Sequence, residues 1–489
     1  MKITQDLYKS SLTLLTDLYQ LTMAYGYWKS GISEKQGVFN LFFRDNPFGG
    51  GYTITCGLEY IIDFLNNFRF HDDDLKYLKT LKGYNGTPLF EKAFLDYLKK
   101  LTFTCQVDAI PEGTVVFPHE PLIRVQGPLL QCQLLETPLL NIINFQSLIA
   151  TKASRINIAA NGEPVMEFGL RRAQGIDGAL AASRAAFIGG CSSTSNVLAG
   201  KLFGIPVAGT HAHSWVMSFE SELEAFRAYA KVLPNNCVFL VDTYDTLEGV
   251  KNAIEVGKML KDCKEEFVGI RIDSGDLAYF SQKARKLLDD AGFKNTKIIA
   301  SNDLDENIIT SLKQQDSAIK AWGIGTKLVT AFDQPALGAV YKLAALKNTK
   351  DQWEYKLKLS EQAIKVNNPG IQQVRRFFNQ NKYQADMIYD SQHPLGNKHI
   401  IIDPMDPTRR KYIDSAKTNY KDLLVPVFKK GKPVYDLPDI RSIREFVQQE
   451  MGKMDKGLKR FVNPHSFPVG LEKKLYDLKT KLVLDLRRI

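Results

Sequence analysis

The sequence predicts an α/β fold in which a barrel of parallel strands packs on an α+β domain built from both chain ends. From about residue 164 to 345, six short apolar segments are each followed by a polar, glycine-rich turn and usually by a helical pattern. The spacing of the later segments suits parallel strands joined by helical crossovers. With 489 residues, the chain is also longer than one hydrophobic core usually supports.

The amino-terminal element is an α+β domain expected over residues 1–150. It begins with the aromatic-rich helical segment TDLYQLTMAYGYW and continues with β-like segments such as GVFNLFFR and LIRVQG. Aromatic residues at helical spacing usually pack in a core, but Tyr19 is also suited to stacking on a planar ring. The pattern alone leaves both roles open for Tyr19.

The barrel is expected over residues 151–345, as the catalytic domain. Its predicted strands are PVMEF, IPVAG, CVFLV, FVGIRI, TKIIA and IKAWGIG. In barrels and open sheets of this kind, function collects where the parallel strands end, on the carboxyl-terminal face. One rim is therefore expected to carry nearly every polar group of interest.

Residues 346–489 are expected to complete the α+β domain and to end in a basic helix. Residues 401–489 hold 20 Lys and Arg against 12 Asp and Glu, which is most of the formal net charge of +10. Leu471, Leu475, Leu478 and Leu482 are spaced like one face of a helix. This pattern favours a packed helix with a solvated basic face, the alternative being an electrostatic funnel for a polyphosphate substrate.

Composition indicates a soluble, cytoplasmic enzyme without a membrane or nucleic-acid partner. No stretch approaches the roughly 18 apolar residues of a membrane span, and the first residues lack the pattern of a secretory signal. The six cysteines are scattered without C-x-x-C pairs, which is typical of reduced cytosolic thiols. A nucleic-acid-binding protein remains an alternative because of the basic carboxyl-terminal segment.

Polar residues follow each predicted barrel strand. Arg171 and Arg172 precede a helical pattern, so guanidinium groups and a helix amino terminus could bind an anion together; ordinary salt bridges are the alternative. Gly323, Gly325 and Thr326 in WGIGTKLVTA precede a helix-like stretch, so free backbone N–H groups there could cradle a phosphate. The further candidates on this rim are Thr210, His211, His213, Asp242, Asp245, Arg271, Asp273, Ser274, Ser301, Asn302 and Asp303.

The run GIRIDSGDLA is suited either to substrate binding or to a structural ion pair. Arg271 can grip a substrate carboxylate, while Asp273 accepts sugar hydroxyls or supports Mg2+ through water. Asp242 and Asp245, which end another strand, are either structural or help to hold a cation.

The segment GTHAHSWVM places His211 and His213 after one predicted strand. An H-x-H pair at a strand end is typical of metal-dependent hydrolases, which need further ligands. The other histidines lie outside the predicted barrel, so a histidine-rich metal cluster is hard to assemble. The hydrolase is kept as a minor alternative.

Taken together, these segments resemble the nicotinate phosphoribosyltransferase family across nearly the whole chain. The resemblance is carried by TDLYQLTMAYGYW, FNLFFRDNPFGGGYTITCGLEYIIDFL, FGLRRAQG, GGCSSTSNVLAG, GTHAHSWVMSF, IRIDSGDL and GIGTKLVT. It implies an irregular, TIM-like α/β barrel of the type II phosphoribosyltransferases and a homodimer with shared active sites. The implied reaction converts nicotinate and phosphoribosyl pyrophosphate (PRPP) to nicotinate mononucleotide and pyrophosphate, with ATP hydrolysis, on the route to NAD.

The resemblance also implies a role for each matching residue. His213 would be the catalytic histidine that ATP phosphorylates, with Arg271 and Asp273 as further catalytic residues. Tyr19, reaching across the dimer interface, and Phe168 would sandwich the pyridine ring, with Arg271 and Thr210 at its carboxylate. The residues implied to hold the phosphoribosyl and pyrophosphate groups are Arg171, Asp273, Ser274, Asn302, Gly325 and Thr326. Mg2+ is expected to enter with PRPP and ATP, and no side chain is assigned as its ligand.

Asn196 bears on the choice between nicotinate and nicotinamide. The related nicotinamide enzymes resemble this chain but have an aspartate at the matching position. A neutral Asn196 would not repel a carboxylate, so it favours nicotinate as the substrate. A nicotinamide phosphoribosyltransferase on the same fold is the nearest alternative, and His211 is left without an assigned role.

Overall fold

The computed structural model describes residues 11–362 and 365–487. Its strands are β1 (Gln36–Phe42), β2 (Thr53–Ile54), β3 (Gln106–Ala109), β4 (Val115–Val116), β5 (Ile123–Pro128), β6 (Val165–Glu167), β7 (Ser193–Thr194), β8 (Val238–Leu240), β9 (Gly269–Ile272), β10 (Lys297–Asn302), β11 (Ala321–Ile324), β12 (Val340–Lys347), β13 (Trp353–Tyr355), β14 (Gln372–Asn379), β15 (Lys382–Asp390), β16 (Lys398–Ile402), β17 (Arg410–Asp414), β18 (Asn419–Asp422), β19 (Val425–Lys429), β20 (Lys432–Pro433) and β21 (Val469–Glu472).

The α-helices of these residues are α1 (Leu18–Lys29), α2 (Leu58–Asn66), α3 (Asp72–Leu78), α4 (Lys92–Lys100), α5 (Leu129–Leu134), α6 (Glu136–Ala160), α7 (Gly175–Ile188), α8 (Val197–Phe203), α9 (His213–Met217), α10 (Glu222–Val232), α11 (Thr246–Asp262), α12 (Leu277–Asp290), α13 (Glu306–Gln314), α14 (Thr326–Val329), α15 (Ile440–Lys453) and α16 (Lys473–Arg487). Within the same residues, no helix has the length and apolar content that crossing a membrane requires.

The barrel strands form one parallel sheet in the order β7-β6-β11-β10-β9-β8. Every neighbouring pair in it is parallel, as expected for strands joined by the intervening helices. Beside β7, a single further parallel bridge joins Thr194 to Val207. The barrel is therefore irregular, with a seam, defined here as the gap between residues 206–211 and β8.

Five of the six predicted barrel strands are confirmed. The sixth, IPVAG, forms only the bridge at Val207, because Pro206 has no N–H to donate to a ladder. The short strand β7 was not predicted from the sequence. It consists of only Ser193 and Thr194, too few residues to show an alternating pattern.

Strands from both chain ends share the main antiparallel sheet, in the order β13-β12-β1-β5-β3-β19-β20. A third sheet has the order β17-β16-β21-β15-β14-β18. The predicted α/β barrel with an α+β domain built from both ends is thus confirmed. The predicted boundaries of the domains stay predictions; residue 150 lies inside α6.

Ion pairs join helix α6 to the segments that follow β10 and β11. Its fully buried Lys152 places Nζ 2.7 Å from Glu306 Oε2 and 2.6 Å from Asp333 Oδ2. Arg155 Nε lies 2.7 Å from the other Glu306 oxygen. Because Glu306 begins α13 and Asp333 follows α14, this ion cluster holds the turns after both strands in place.

A second buried charge cluster stabilises the carboxyl-terminal sheet. Arg376 on β14 lies 2.5 Å from Asp386, and neither side chain has solvent exposure. The adjacent residue Arg375 points to the opposite face of the strand. It forms an ion pair with Asp422 of β18, and both side chains are partly exposed. At the chain end, α16 begins at Lys473, so Leu471 lies in β21 and does not belong to the apolar face of this helix.

Candidate active site

The barrel rim brings together nearly all the predicted site residues. The carboxyl ends of parallel strands meet at one edge of a sheet. Phe168 and Arg171 follow β6; Thr210 and His213 follow the segment bridged to β7; Asp273 and Ser274 follow β9; Asn302 ends β10; and Gly325 and Thr326 follow β11. The exception is Tyr19, which lies on α1 and is 48% exposed.

Arg271 is the centre of the hydrogen-bond network on this rim. It lies within β9 and its guanidinium donates three bonds: Nε to Ser301 Oγ at 2.7 Å, Nη1 to Thr210 Oγ1 at 2.9 Å and Nη2 to Asp273 Oδ1 at 2.9 Å. A guanidinium has five N–H donors, so one remains on each terminal nitrogen. Terminal N–H groups of a guanidinium are suited to binding a carboxylate.

Asp273 is held as a carboxylate by its surroundings. Burial alone would raise its pKa, but the hydrogen bond from Ser301 and the charge of Arg271 outweigh burial and lower the pKa below its usual value. The turn it occupies is fixed by Asp242, whose Oδ2 accepts from Asp273 N at 3.0 Å and from Ser274 Oγ at 2.6 Å. Asp242 therefore has at least a structural role.

The ring of Phe168 covers this network. It lies with its centroid 5.8 Å from the Arg271 guanidinium carbon and rests on Gly323, where an added Cβ would lie 2.7 Å from the ring. Gly323 was predicted as part of a phosphate cradle, and this was wrong. It is buried inside β11, and its missing side chain makes room for the phenyl ring.

A buried network that the sequence did not reveal fixes the turn after β6. Glu167 is fully buried; it accepts a short hydrogen bond from Gly169 N, and its Oε2 accepts from Ser183 Oγ at 2.8 Å and Thr194 Oγ1 at 2.5 Å. Asn196 joins this network, donating from Nδ2 to Ser183 Oγ at 3.2 Å. The only signal in the sequence was an acidic residue inside the apolar run PVMEF.

Asn196 has both halves of its amide occupied within the protein. Besides the bond to Ser183, its Oδ1 accepts from Ala199 N at 3.2 Å and so caps α8. The side chain is buried. Any influence of Asn196 on substrate choice would thus pass through the network around Glu167.

His213 begins α9 and is partly exposed. Its Nδ1 lies 3.1 Å from Thr243 Oγ1, and the ring, when protonated, lowers the pKa of Asp273. Among the described residues no hydrogen bond engages its Nε2. His213 thus offers one ring nitrogen to a ligand beside the carboxylate of Asp273.

His211 has a different environment from His213. It is buried against Phe226, Tyr229 and Phe239, and its Nε2 accepts from Leu240 N at 3.2 Å. The two histidines therefore do not form the chelating pair of a metallohydrolase. In residues 11–362 and 365–487, no group of three or more His, Cys, Asp or Glu is arranged to hold a metal ion.

The remaining predicted anion-binding residues are open to solvent or partly so. Arg171 and Arg172 are exposed in a 3-10 turn ahead of α7, and Thr326 begins α14. Asn302 is exposed and has a φ of 136°, a backbone region that non-glycine residues rarely adopt and that concentrates at functional sites.

Three sequence profiles match the chain. Residues 14–144 match the nicotinate phosphoribosyltransferase (NAPRTase) N-terminal domain, 164–368 the nicotinate phosphoribosyltransferase (NAPRTase) family and 371–479 the nicotinate phosphoribosyltransferase C-terminal domain. The nicotinate phosphoribosyltransferase of Bacillus subtilis (strain 168) is 46% identical over 484 residues, 98% of this chain and 96% of the relative.

Solved structures agree with these matches. The crystal structure of human nicotinic acid phosphoribosyltransferase superposes with a TM-score of 0.84 at 32% identity, covering 96% of this chain and 99% of the human one. A nicotinate-nucleotide pyrophosphorylase from Pyrococcus furiosus has a TM-score of 0.70 at 22% identity, covering 91% of this chain and 96% of that one. The second likeness concerns the fold alone.

Proposed function

Because the chain belongs to the nicotinate phosphoribosyltransferase family, we propose that it couples nicotinate phosphoribosyl transfer to ATP hydrolysis through a phosphohistidine on His213. The transfer itself, which makes nicotinate mononucleotide in NAD salvage, is the activity of the family. The type II phosphoribosyltransferase fold accompanies it. The ATP coupling, which would make the enzyme formally a ligase, is the proposal.

The observation that carries the nicotinate site is the pairing of Arg271 with Phe168. Nicotinate is a planar aromatic ring bearing a carboxylate, so it needs a flat apolar surface beside a two-pronged cation. The Arg271 guanidinium, which keeps one N–H free on each terminal nitrogen, lies 5.8 Å from the centroid of the Phe168 ring, with Thr210 adjacent. We assign the carboxylate to Arg271 and Thr210 and one face of the pyridine ring to Phe168.

PRPP would occupy the open part of the same rim. Its phosphates would meet Arg171, Ser274, Asn302, Gly325 and Thr326, which are wholly or partly exposed. Asp273, ionised near neutral pH, would accept ribose hydroxyls. In the chemical step, the pyridine nitrogen would attack C1 of the ribose as pyrophosphate leaves, so the enzyme mainly positions the reactants and neutralises charge.

Mg2+ would neutralise the departing pyrophosphate and would enter bound to PRPP or ATP. The rim suits a hard divalent cation because carboxylate oxygens are its preferred ligands. Asp242 Oδ1 is buried without a hydrogen-bond partner among the described residues, and Asp273 is close by. These two carboxylates would face the cation, directly or through water.

His213 would be phosphorylated at Nε2, since Nδ1 faces Thr243. The neutral ring nitrogen would form a bond to the γ-phosphorus of ATP as the bond to the ADP oxygen breaks. Water would later cleave the phosphorus–nitrogen bond and release phosphate. Because the phosphorylated ring would lie near Asp273, its charge would act directly on the PRPP site.

Labelling with γ-32P-ATP tests this proposal. The wild type should acquire acid-labile, base-stable label that nicotinate and PRPP discharge, and His213→Ala should acquire none. His393→Ala, which removes a half-exposed histidine paired with Asp390, is the matched control and should label normally. Equal labelling of His213→Ala and wild type would contradict the assignment.

We also propose a homodimer with active sites shared between subunits. Leu18, Tyr19 and Met23 on α1 are 53%, 48% and 40% exposed, an apolar surface that a second copy would cover. Helix α8 exposes Val197, Leu198 and Leu202 in the same way. Tyr19 would then complete the sandwich around the pyridine ring of the other subunit.

Subunit complementation tests the shared site. Tyr19→Ala and Arg271→Met proteins should each be nearly inactive. A mixture of equal amounts that exchanges subunits at random should recover about a quarter of wild-type activity, because about half of the dimers are mixed and each mixed dimer contains one intact site out of two. Absence of recovery in mixed dimers verified by two different tags would contradict a site that spans the interface.

A cytoplasmic location, without nucleic-acid or membrane partners, completes the proposal. All cysteines of the described residues are unpaired, as expected in a reducing compartment.

A further inference from the structure

His211 lies at the seam of the barrel. On one side of the seam, the segment after α8 is bonded to β7 through Thr194 N to Pro206 O at 3.0 Å and Ala208 N to Thr194 O at 3.0 Å. On the other side, β8 forms a ladder only with β9. Within the described residues, the hydrogen bond that joins residues 206–211 to β8 is the one from Leu240 N to His211 Nε2, at 3.2 Å.

The surroundings of His211 keep its ring in the form that can accept this bond. Burial among three aromatic rings lowers its pKa to about 4, and the positive charges of Arg271 and His213 add to that effect. The neutral ring must carry its proton on Nδ1 to leave Nε2 free. Nδ1 is buried and completes no hydrogen bond among the described residues; a weaker interaction with the Ala212 backbone partly opposes the effect of burial on the pKa.

The bond to Nε2 satisfies a backbone donor of β8 on the edge that has no ladder. An apolar side chain of similar volume at position 211 would leave the buried Leu240 N–H without this acceptor, which destabilises a fold. What the imidazole supplies is an acceptor placed where a neighbouring strand would have provided a backbone carbonyl. The bond therefore fixes the position of a segment that lacks a ladder on this side.

The segment so fixed carries two residues of the active site. Thr210 accepts from Arg271 Nη1 at 2.9 Å, and His213 Nδ1 lies 3.1 Å from Thr243 Oγ1. Thr243 follows β8, the strand that ends at Leu240. The segment therefore contacts the β8 side of the seam at two points, through His211 and through His213. Among the described residues, loss of the His211 bond would leave the one from His213 to Thr243 as the hydrogen bond between this segment and β8 or the turn after it, while Trp215 Nε1 still joins α9 to the Ala225 carbonyl at 3.1 Å.

We propose that His211 is a positioning residue that closes the barrel seam with a side-chain hydrogen bond and thereby sets the positions of Thr210 and His213. The effect on Thr210 concerns the transfer reaction itself. The effect on His213 rests on the proposed phosphohistidine.

Three substitutions of His211 distinguish loss of the hydrogen bond to Leu240 N from loss of packing. Glutamine places an amide oxygen at about the reach of Nε2, whereas asparagine ends near the position of Nδ1; leucine keeps the volume without an acceptor. The measurements are KM and kcat for nicotinate, with and without ATP, and amide hydrogen exchange of the peptides covering residues 209–217 and 238–243. Thermal unfolding of each variant reports whether it is folded.

His211→Asn and His211→Leu should raise the KM for nicotinate roughly tenfold, the equivalent of one lost hydrogen bond, with a smaller change in kcat without ATP. They should also lose ATP stimulation and exchange faster in both peptides. His211→Gln should return all of these towards wild type. If leucine does not fold, the glutamine and asparagine pair decides.

Wild-type KM and exchange in the asparagine variant would overturn the proposal, as would a glutamine variant as defective as the asparagine one. If ATP does not stimulate the wild-type enzyme, only the proposed phosphohistidine is refuted. KM and hydrogen exchange would still decide the role of His211.

Discussion

Replacing Arg271 with lysine keeps a positive charge on the rim but removes the planar guanidinium with its several N–H donors. The arginine binds Ser301, Thr210 and Asp273 from three different nitrogens and keeps one N–H on each terminal nitrogen. A lysine has three donors on a single nitrogen, so it cannot satisfy these partners and also bind a carboxylate through two parallel bonds. At least one charged hydrogen bond to nicotinate should be lost in Arg271→Lys.

The loss of one hydrogen bond to a charged group is worth about 1.5–3 kcal/mol, which lowers kcat/KM for nicotinate about 10- to 150-fold. Nicotinamide has no carboxylate, so its kcat/KM should change less and the ratio of the two should fall by a similar factor. Steady-state assays with both substrates at saturating PRPP measure this ratio. An unchanged ratio would refute the assignment of Arg271 to the carboxylate.

Arg285→Lys is the matched control for that experiment. Arg285 on α12 also donates three hydrogen bonds, to Asp289 at 2.9 Å, the Thr296 carbonyl at 2.7 Å and the Phe293 carbonyl at 2.5 Å. It lies where α12 ends and the chain approaches the start of β10, at the opposite end of the barrel from the rim. Its replacement should lower thermal stability and leave the preference for nicotinate unchanged.

Three other predictions concern packing, buried charge and pH. Gly323→Ala puts Cβ 2.7 Å from the Phe168 ring, so the ring must move and the KM for nicotinate should rise about tenfold. Arg376→Met strands a fully buried carboxylate and should cost about 3–5 kcal/mol in denaturant unfolding; Arg375→Met, whose ion pair is partly exposed, should cost about 1 kcal/mol or less. Burial lowers the pKa of His119 from 6.5 to about 4, so the unfolded chain binds more protons in that window and stability falls as pH drops through it; His119→Asn, which tolerates the positive φ, should flatten that fall by roughly 2–3 kcal/mol.

The strands of the barrel could be predicted because their signals are local. Apolar runs bounded by glycine-rich turns mark β6, β8, β9, β10 and β11, and the residues just beyond them define the rim without any knowledge of contacts. Two parts of the barrel were not predicted correctly. The segment around Pro206 forms no strand because the proline has no N–H to donate, and β7 has only two residues, too few to show a pattern. Both failures fall on one side of the seam, in the segment that borders it and in β7, to which that segment is bridged.

The contacts between side chains could not be predicted because they join distant parts of the chain. Glu167 meets Ser183 and Thr194 only after the barrel has formed, and nothing in PVMEF indicates those partners. Gly323 looked like part of a phosphate cradle because a G-x-G pattern does not reveal which glycine lies inside a strand. His211 could not be assigned for the same reason, since its partner is a backbone amide 29 residues away.

The most direct test of the proposed mechanism compares wild type with His213→Ala. It measures product formation from nicotinate and from nicotinamide, with PRPP and Mg2+, in the presence and absence of ATP. Nicotinate mononucleotide should form in preference to nicotinamide mononucleotide and faster with ATP, and the stimulation by ATP should vanish in His213→Ala while slow transfer persists. Equal stimulation of the two proteins by ATP, or a preference for nicotinamide, would contradict the mechanism.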